Sequence, residues 1–310
     1  VTEYSIGVDL GGTNLRAAVV DQHGNLLAQS SASTSPEKGR EYVIGEIVEA
    51  IQQLRSHQID GRFAGVGIGV PGFILMDEGV ILNSNNLAFL ENIPLRDEIE
   101  SRLGAPVILE NDANAAALGE CWIGAGAEVD SLVLLTLGTG IGGGIIYKGR
   151  VMHGFLGMAG ELGHITVVPN GNPCGCGNVG CLEKHASATA ITCTAELMRV
   201  SNHPNPTAED IFKLAEAGDW KAQQIFRSMG EALGTALATL VNTFNFPLYL
   251  LSGGPLPAWN HFAPAMFEQV TRRSFTYRST KTRIEKAKLG KQAGLFGAAY
   301  LPFQAQRDRM

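Results

Sequence analysis

The most constraining feature of this chain is the run at residues 160–183, GELGHITVVPNGNPCGCGNVGCLE, which gathers His164, Cys174, Cys176 and Cys181. Thiolates and imidazole are the ligands zinc prefers, and four of them close a tetrahedral structural site. The spacing H-x9-C-x-C-x4-C lets a short loop fold back and bring all four to one point. Glycines at 175, 177 and 180 are expected to supply the backbone angles such tight spacing needs. The competing reading, unrelated thiols in an ordinary loop, sits badly with Cys and His clustered in a chain that has no disulfide framework.

The rest of the sequence has to supply a scaffold for that loop, and it is large enough. At 310 residues, two domains or one large one are expected, and 45% hydrophobic with 17% charged residues describes a soluble globular protein with a real core. A net charge of −6 argues against nucleic acid or an anionic membrane surface as the main partner. Anionic small molecules stay open, because glycine-rich loops and a divalent cation offset global charge locally. The opening residues carry no basic-then-apolar leader, and no apolar run approaches the roughly 20 residues that span a bilayer. A cytoplasmic location is therefore expected. Of the five Cys, Cys121 and Cys193 lie outside the 160–183 run and are expected to be buried thiols.

Apolar runs alternate with glycine turns along the chain. Residues 4–9 read as a strand ending in Asp9; Gly11, Gly12, Thr13 and Asn14 turn the chain, and 15–20 return it. A third strand is expected at 26–31, then a helix with Ser35 as N-cap and Pro36 at its first position. Val43, Ile44, Ile47, Val48, Ile51 and Leu54 follow helical spacing on its buried face. A strand at 63–70 ends in Pro71-Gly72, a helix is expected at 95–103, and a strand at 106–109 leads into Glu110-Asn111-Asp112-Ala113-Asn114 and another helix. Polar groups between a strand end and a helix start occupy the usual ligand position of α/β sheets. In the second half, a strand at 131–137 precedes a turn at 138–144 and a return strand at 145–147. Helices are expected at 206–216, 220–243, 258–273 and 291–303, the last with Gly294 and Gly297 allowing close packing, and a strand at 248–251 runs into Gly253-Gly254. Residues 9–20 lay over 136–147 without gaps, which suggests an internal duplication with two matching phosphate-sized turns.

Three glycine turns after strands can aim backbone N–H groups at phosphate oxygens, although each taken singly is equally consistent with a plain hairpin. The P-loop pattern is absent. Gly138, Gly140 and Gly143 match G-x-G-x-x-G, but strand rather than helix follows them, so a dinucleotide fingerprint is not read here. Asp9, among the first glycines, suits a place near the divalent cation that accompanies nucleotide phosphates. Asp112 can accept the proton of an attacking hydroxyl, the one base that phosphoryl transfer requires, or can serve as a helix cap. Glu161, His164 and Glu183 suit the hydroxyls of a sugar. A His held by metal through one ring nitrogen can donate with the other, so a structural zinc can orient it.

As a set, these residues resemble the ROK family of sugar kinases and repressors. Asp9-Leu10-Gly11-Gly12-Thr13-Asn14 resembles the family's first phosphate motif, Leu137-Gly138-Thr139-Gly140 the second, and 110–114 the segment with its catalytic Asp. The 160–183 run resembles its sugar and zinc signature. The resemblance spans essentially the whole chain, departing at Phe246-Pro247 and Gly290-Lys291. It implies an actin-like, ribonuclease H-like α/β fold of two domains with a cleft between them, in a homodimer. Residues 1–112 with about 291–310 would form the smaller domain and 113–290 the larger, zinc-bearing one. It also implies sugar contacts from Gly72, Asn86, Asn111, Asp112, Glu161, His164 and Glu183, and ATP near Asp9, Gly11, Gly12, Thr13, Asn14, Thr139, Gly140 and Gly254. The expected activity is ATP- and Mg²⁺-dependent phosphorylation of a hexose at its 6-hydroxyl, glucose first, with fructose, mannose, allose or N-acetylated sugars as alternatives. The rival from another class is a sugar-responsive regulator, and against its DNA-binding form stand the acidic charge and a first strand that opens at about residue 4.

Overall fold

The structure is a computed structural model describing residues 2–57, 59–84, 87–200 and 205–308. In chain order come β1 (Glu3–Leu10), β2 (Asn14–Asp21), β3 (Leu26–Ser33), α1 (Arg40–Arg55), β4 (Arg62–Val70), β5 (Phe73–Leu75), β6 (Val80–Asn83), α2 (Leu95–Leu103), β7 (Val107–Asn111) and α3 (Asp112–Ile123). Then follow β8 (Leu132–Leu137), β9 (Ile141–Tyr147), β10 (Arg150–Val151), α4 (Glu183–Ala186), α5 (Ala188–Met198), α6 (Ala208–Glu216) and α7 (Trp220–Phe244). The chain closes with β11 (Leu248–Gly253), α8 (Trp259–Arg273), β12 (Arg283–Lys286) and α9 (Ala293–Arg307). It divides into two compact units, one of Val1–Asp130, Gly144–Gly160 and Lys288–Met310, the other of Ser131–Gly143 and Glu161–Ala287.

The first unit is built on a sheet of order β3-β2-β1-β4-β7, antiparallel on the β3 side and parallel from β1 to β7. Both faces are buried, and the period of two along a strand shows how. Ala17 and Val19 of β2 join one apolar cluster with Ile44, Ile47 and Ile51 of α1. Their neighbours Ala18 and Val20 join another with Leu295, Phe296 and Ala299 of α9. Helices α3 and α9 meet backbone to backbone: a Cβ on Gly297 would lie 1.7 Å from the Ala115 carbonyl oxygen, and one on Gly119 2.2 Å from that of Ala293. Close packing leaves no room for either atom. A Cβ on Gly294 would make only ordinary contact, 3.5 Å from the Asp9 carboxylate, so Gly297 carries the close approach expected of both.

The second sheet has the order β10-β9-β8-β11-β12, with β8, β11 and β12 parallel. Its long helix α7 buries Ile225, Phe226, Met229, Leu233, Leu237 and Val241, a helical stripe, and packs on α8 through Gly230 and Gly234.

Several boundaries differ from expectation for visible reasons. Ser35 makes no side-chain cap; Pro36–Lys38 form a single 3₁₀ turn, and Gly39, at φ 86°, redirects the chain before α1 begins at Arg40. The apolar stripe of α1 is buried as its spacing requires. The expected turn at 138–144 ends at 140, and Gly144 is already strand, with a Cβ there only 2.7 Å from the Ala113 carbonyl oxygen of α3. Helix α6 starts at Ala208 because Thr207 and Asp210 form a reciprocal capping box. Cys193 is exposed, not buried; Cys121 is half-buried, and burial pushes its thiol up to about 11. No described helix is long and apolar enough to cross a membrane.

Candidate active site

In the first unit, strands β1 and β2 place Asp9 opposite Arg16, and the two side chains form an ion pair. The turn between the strands is closed by the Gly11 amide donating to the Asn14 carbonyl at 2.7 Å, so the Gly11 N–H is already used. Thr13 and Asn14 at its tip are exposed. The Thr13 carbonyl accepts from the Thr34 amide at 3.0 Å, which ties the tip to the end of β3.

The junction of β7 and α3 holds the candidate base. Asn111 is the N-cap of α3, its Oδ1 accepting from the amides of Ala113 at 3.0 Å and Asn114 at 3.2 Å. Asp112 is the first helical residue and is exposed. The capping duty that offered the plain alternative for Asp112 thus falls to its neighbour. Asp112 Oδ1 accepts from the Ala113 amide at 2.8 Å. The Asn111 side chain also donates to the Gly72 carbonyl at 3.2 Å, joining two residues expected at the sugar. Gly72 has φ 116°, and a Cβ there would lie 2.1 Å from the Asn83 carbonyl oxygen. Asn86 lies outside the described residues.

In the second unit, the turn after β8, the segment after Gly160 and the start of α4 converge. The Glu183 carboxylate accepts from the Ile141 amide at 3.2 Å and lies so close to Gly140 that a Cβ there would be 2.3 Å from Oε2. Gly163 packs on the same strand start, its Cβ position 2.1 Å from the Ile141 carbonyl oxygen. Thr139 is exposed at the tip, with its carbonyl held by the Thr189 hydroxyl at 2.7 Å. Glu161 Oε2 is 3.7 Å from His164 Nε2. Burial raises the Glu161 carboxyl above its ordinary value, the His164 ring pulls it back, and the charge of Glu183 adds to the rise. Glu161, His164 and Glu183 therefore share one electrostatic neighbourhood beside Gly140.

Nearby, Gly254 donates its amide to the Leu137 carbonyl at 3.0 Å and has open space around it. The residue that must be glycine is its neighbour Gly253, at φ 116° with a Cβ position 1.9 Å from that same oxygen. The amide of Gly138 is likewise used within its own turn, by Gly140 at 2.9 Å. The amides of Gly11 and Gly138 therefore close their own turns, and that of Gly254 is spent on the end of β8.

The donor atoms of His164, Cys174, Cys176 and Cys181 all lie within 4.8 Å of one another. Cys174 Sγ is 3.6 Å from His164 Nδ1, and Cys176 Sγ is 3.7 Å from Cys181 Sγ. Sulfurs bound to a tetrahedral zinc at ordinary bond length are about 3.8 Å apart, so the four residues fit such an ion. With Nδ1 on the sulfur side, Nε2 faces Glu161. The loop is shaped by the bridges Thr166–Cys181 and Pro173–Val179, and by Gly177 at φ 90° and Gly180 at φ 74°. Gly175 takes no left-handed angle, so two of the three expected glycines do that work.

Sequence reasoning missed His153, whose Nε2 lies 2.7 Å from the buried Glu110 carboxylate. A lone His 43 residues away carries no spacing signal, and only the fold pairs them.

The sequence profile of the ROK family matches residues 5–305. A glucokinase of Halalkalibacterium halodurans is 36% identical over 98% of this chain and 96% of its own length. The crystal structure of a ROK hexokinase from Thermus thermophilus, also 36% identical, superposes with a TM-score of 0.89 over 98% of this chain and 99% of that one. A ROK glucokinase from Streptomyces griseus, solved in complex with glucose and AMPPNP, is 34% identical with a TM-score of 0.79 over 97% and 99%. The match to a xylose repressor of Caldicellulosiruptor bescii is 30% identical and spans 76% of that protein. The two α/β units thus have the actin-like, ribonuclease H-type fold of these neighbours.

Proposed function

We propose, from the premise that the chain belongs to the ROK family, that it is an ATP-dependent sugar kinase converting glucose to glucose 6-phosphate. The observation that carries the reading is the β7–α3 junction, where Asn111 provides the cap and Asp112 stands exposed at a strand end. Similarity to glucokinases over nearly the full length of both chains supports the same activity.

In this reading Asp112 takes the proton of the 6-hydroxyl as that oxygen attacks the γ-phosphoryl group, and the bond from the γ-phosphorus to the bridging oxygen breaks to release ADP. Asn111 and the Gly72 backbone, already hydrogen-bonded to each other, hold the acceptor end of the sugar. Glu161, His164 and Glu183 accept from and donate to the remaining hydroxyls, and a wrong isomer leaves one of these polar groups unpaired. The exposed tips Thr13, Asn14 and Thr139, with Gly12 and Gly140, border the phosphates, and Gly254 leaves space for the nucleotide. Mg²⁺, supplied with ATP, would lie near Asp9 and neutralise phosphate charge. Zinc on His164, Cys174, Cys176 and Cys181 would act structurally, since protein fills all four positions. Its effect on the sugar passes through His164: with Nδ1 on the metal, Nε2 is fixed as the outward nitrogen. A homodimer is the expected assembly.

The alternative is a sugar-responsive regulator of the same family, favoured only by the repressor relatives at lower identity. A panel of hexoses with ATP and Mg²⁺ in a coupled assay decides between them. Turnover is expected, with glucose preferred over its epimers; sugar binding without turnover of any hexose would leave the regulator and end the kinase reading.

A further inference from the structure

The reaction as described leaves one buried acid beside the base without a task. Glu110 precedes Asn111 at the end of β7 and is 1% exposed. A carboxyl group at that depth needs hydrogen-bond partners, and it has them on both oxygens. Oε1 accepts from the Asn111 amide at 2.8 Å and from Nδ2 of the buried Asn114 at 3.1 Å. Oε2 faces His153 Nε2 at 2.7 Å. The backbone that carries the ring is itself anchored, because the His153 carbonyl accepts from the Ala159 amide at 2.9 Å and closes the loop between them. Glu110 thereby grips the junction at two points, the amide of the N-cap residue and the side chain of the third helical residue.

We infer that Glu110 and His153 are a positioning pair for Asp112: the imidazole holds the carboxylate, and the carboxylate fixes the angle at which the 111–114 segment enters α3. The inference rests on the kinase reading, in which that angle aims Asp112 at the acceptor hydroxyl. The hydrogen bond to Glu110 raises the His153 ring above its ordinary value, burial opposes the rise and the carboxylate charge supports it, as a charge-assisted bond requires. A misplaced base slows the chemical step while leaving the contacts that bind the sugar hydroxyls in place.

The His153 side chain is 36% exposed, so it can be changed without opening the core. His153→Gln keeps an N–H that can reach Glu110; His153→Leu fills similar space without one. The pair predicts that His153→Leu loses about tenfold to a hundredfold in kcat with hexose KM within about threefold, whereas His153→Gln keeps most of its kcat. Equal kcat in the two variants, high or low, overturns the inference. A second readout needs no turnover: NMR titration of the His153 ring in the wild type and in Glu110→Gln. A fall in the midpoint of the titration supports the pair, and an unchanged midpoint overturns it. Absence of hexose turnover in the wild type would refute the kinase reading alone, because the NMR arm still tests the contact.

Discussion

The two five-stranded sheets repeat one plan, and they differ in what each hangs from it. In the first the order is β3-β2-β1-β4-β7, in the second β10-β9-β8-β11-β12, so each runs hairpin, hairpin strand, central strand, then two parallel strands. In each, a glycine at φ 116° follows or ends the strand next to the centre, Gly72 after β4 and Gly253 at the end of β11. In each, a Cβ on that glycine would strike a backbone carbonyl within about 2 Å, at 2.1 Å from Asn83 and 1.9 Å from Leu137. The first plan then spends its last strand on the Asn111–Asp112 junction. The second instead carries, after its hairpin, the segment with Glu161, the four metal-type ligands and Glu183. On the proposed reading this repeated plan divides the labour, with the base Asp112 on the first sheet and the sugar contacts of Glu161, His164 and Glu183 on the second.

That division is broken most sharply at Asp112. If the first copy supplies the base, Asp112→Asn should lose on the order of a thousandfold in kcat while hexose affinity, measured by calorimetry, stays within a few-fold. The exposed position makes a folding defect an unsuitable explanation for such a loss. Retention of more than a tenth of the activity would remove Asp112 from the role.

The second copy is tested at its loop. Cys176→Ser takes one ligand from the cluster, and its exposed position keeps the core out of the result. Metal analysis should then fall well below one zinc per chain, and hexose affinity should drop by about tenfold to a hundredfold as His164 loses its fixed orientation. A zinc-free protein with full sugar affinity would sink the link between the metal and the sugar, and with it the claim that this copy recognises the substrate through a metal-set His.

How far these features are legible without coordinates depends on how local their chemistry is. The metal loop and the glycine turns are short runs in which ligand type and spacing already state the geometry, and the hairpins at 9–20 and 136–147 align residue by residue. The buried stripe of α1 follows from spacing alone, because a helix repeats every 3.6 residues. By contrast β12 reads Arg-Ile-Glu-Lys, with only Ile284 buried, and its edge position removes the apolar run that marks a strand. The β5–β6 hairpin has strands of three and four residues, too short to show a period. The Glu110–His153 contact was invisible for a different reason, since two residues far apart in sequence meet only through the fold. Even the glycines illustrate the limit: sequence marks Gly253-Gly254 as a turn, but only the backbone tells which of the two cannot bear a side chain.

That last distinction gives the smallest of the expected effects and the cleanest test of the repeated plan. Gly253→Ala forces a Cβ at φ 116° against the Leu137 carbonyl and should cost about 1–3 kcal/mol of stability in denaturant unfolding. Gly254→Ala meets open space and ordinary angles, so its unfolding midpoint should stay within about 0.5 kcal/mol of wild type. The same alanine would nonetheless stand where the nucleotide is proposed to lie, so KM for ATP should rise while KM for the hexose does not. If Gly253→Ala is as stable as Gly254→Ala, the bend at the end of β11 is not under steric constraint, and its equivalence to the bend at Gly72 fails. If both alanines are tolerated in stability and in ATP affinity, the turn after β11 is a plain strand-to-helix connection and the proposed phosphate role contracts to the turn at 138–140.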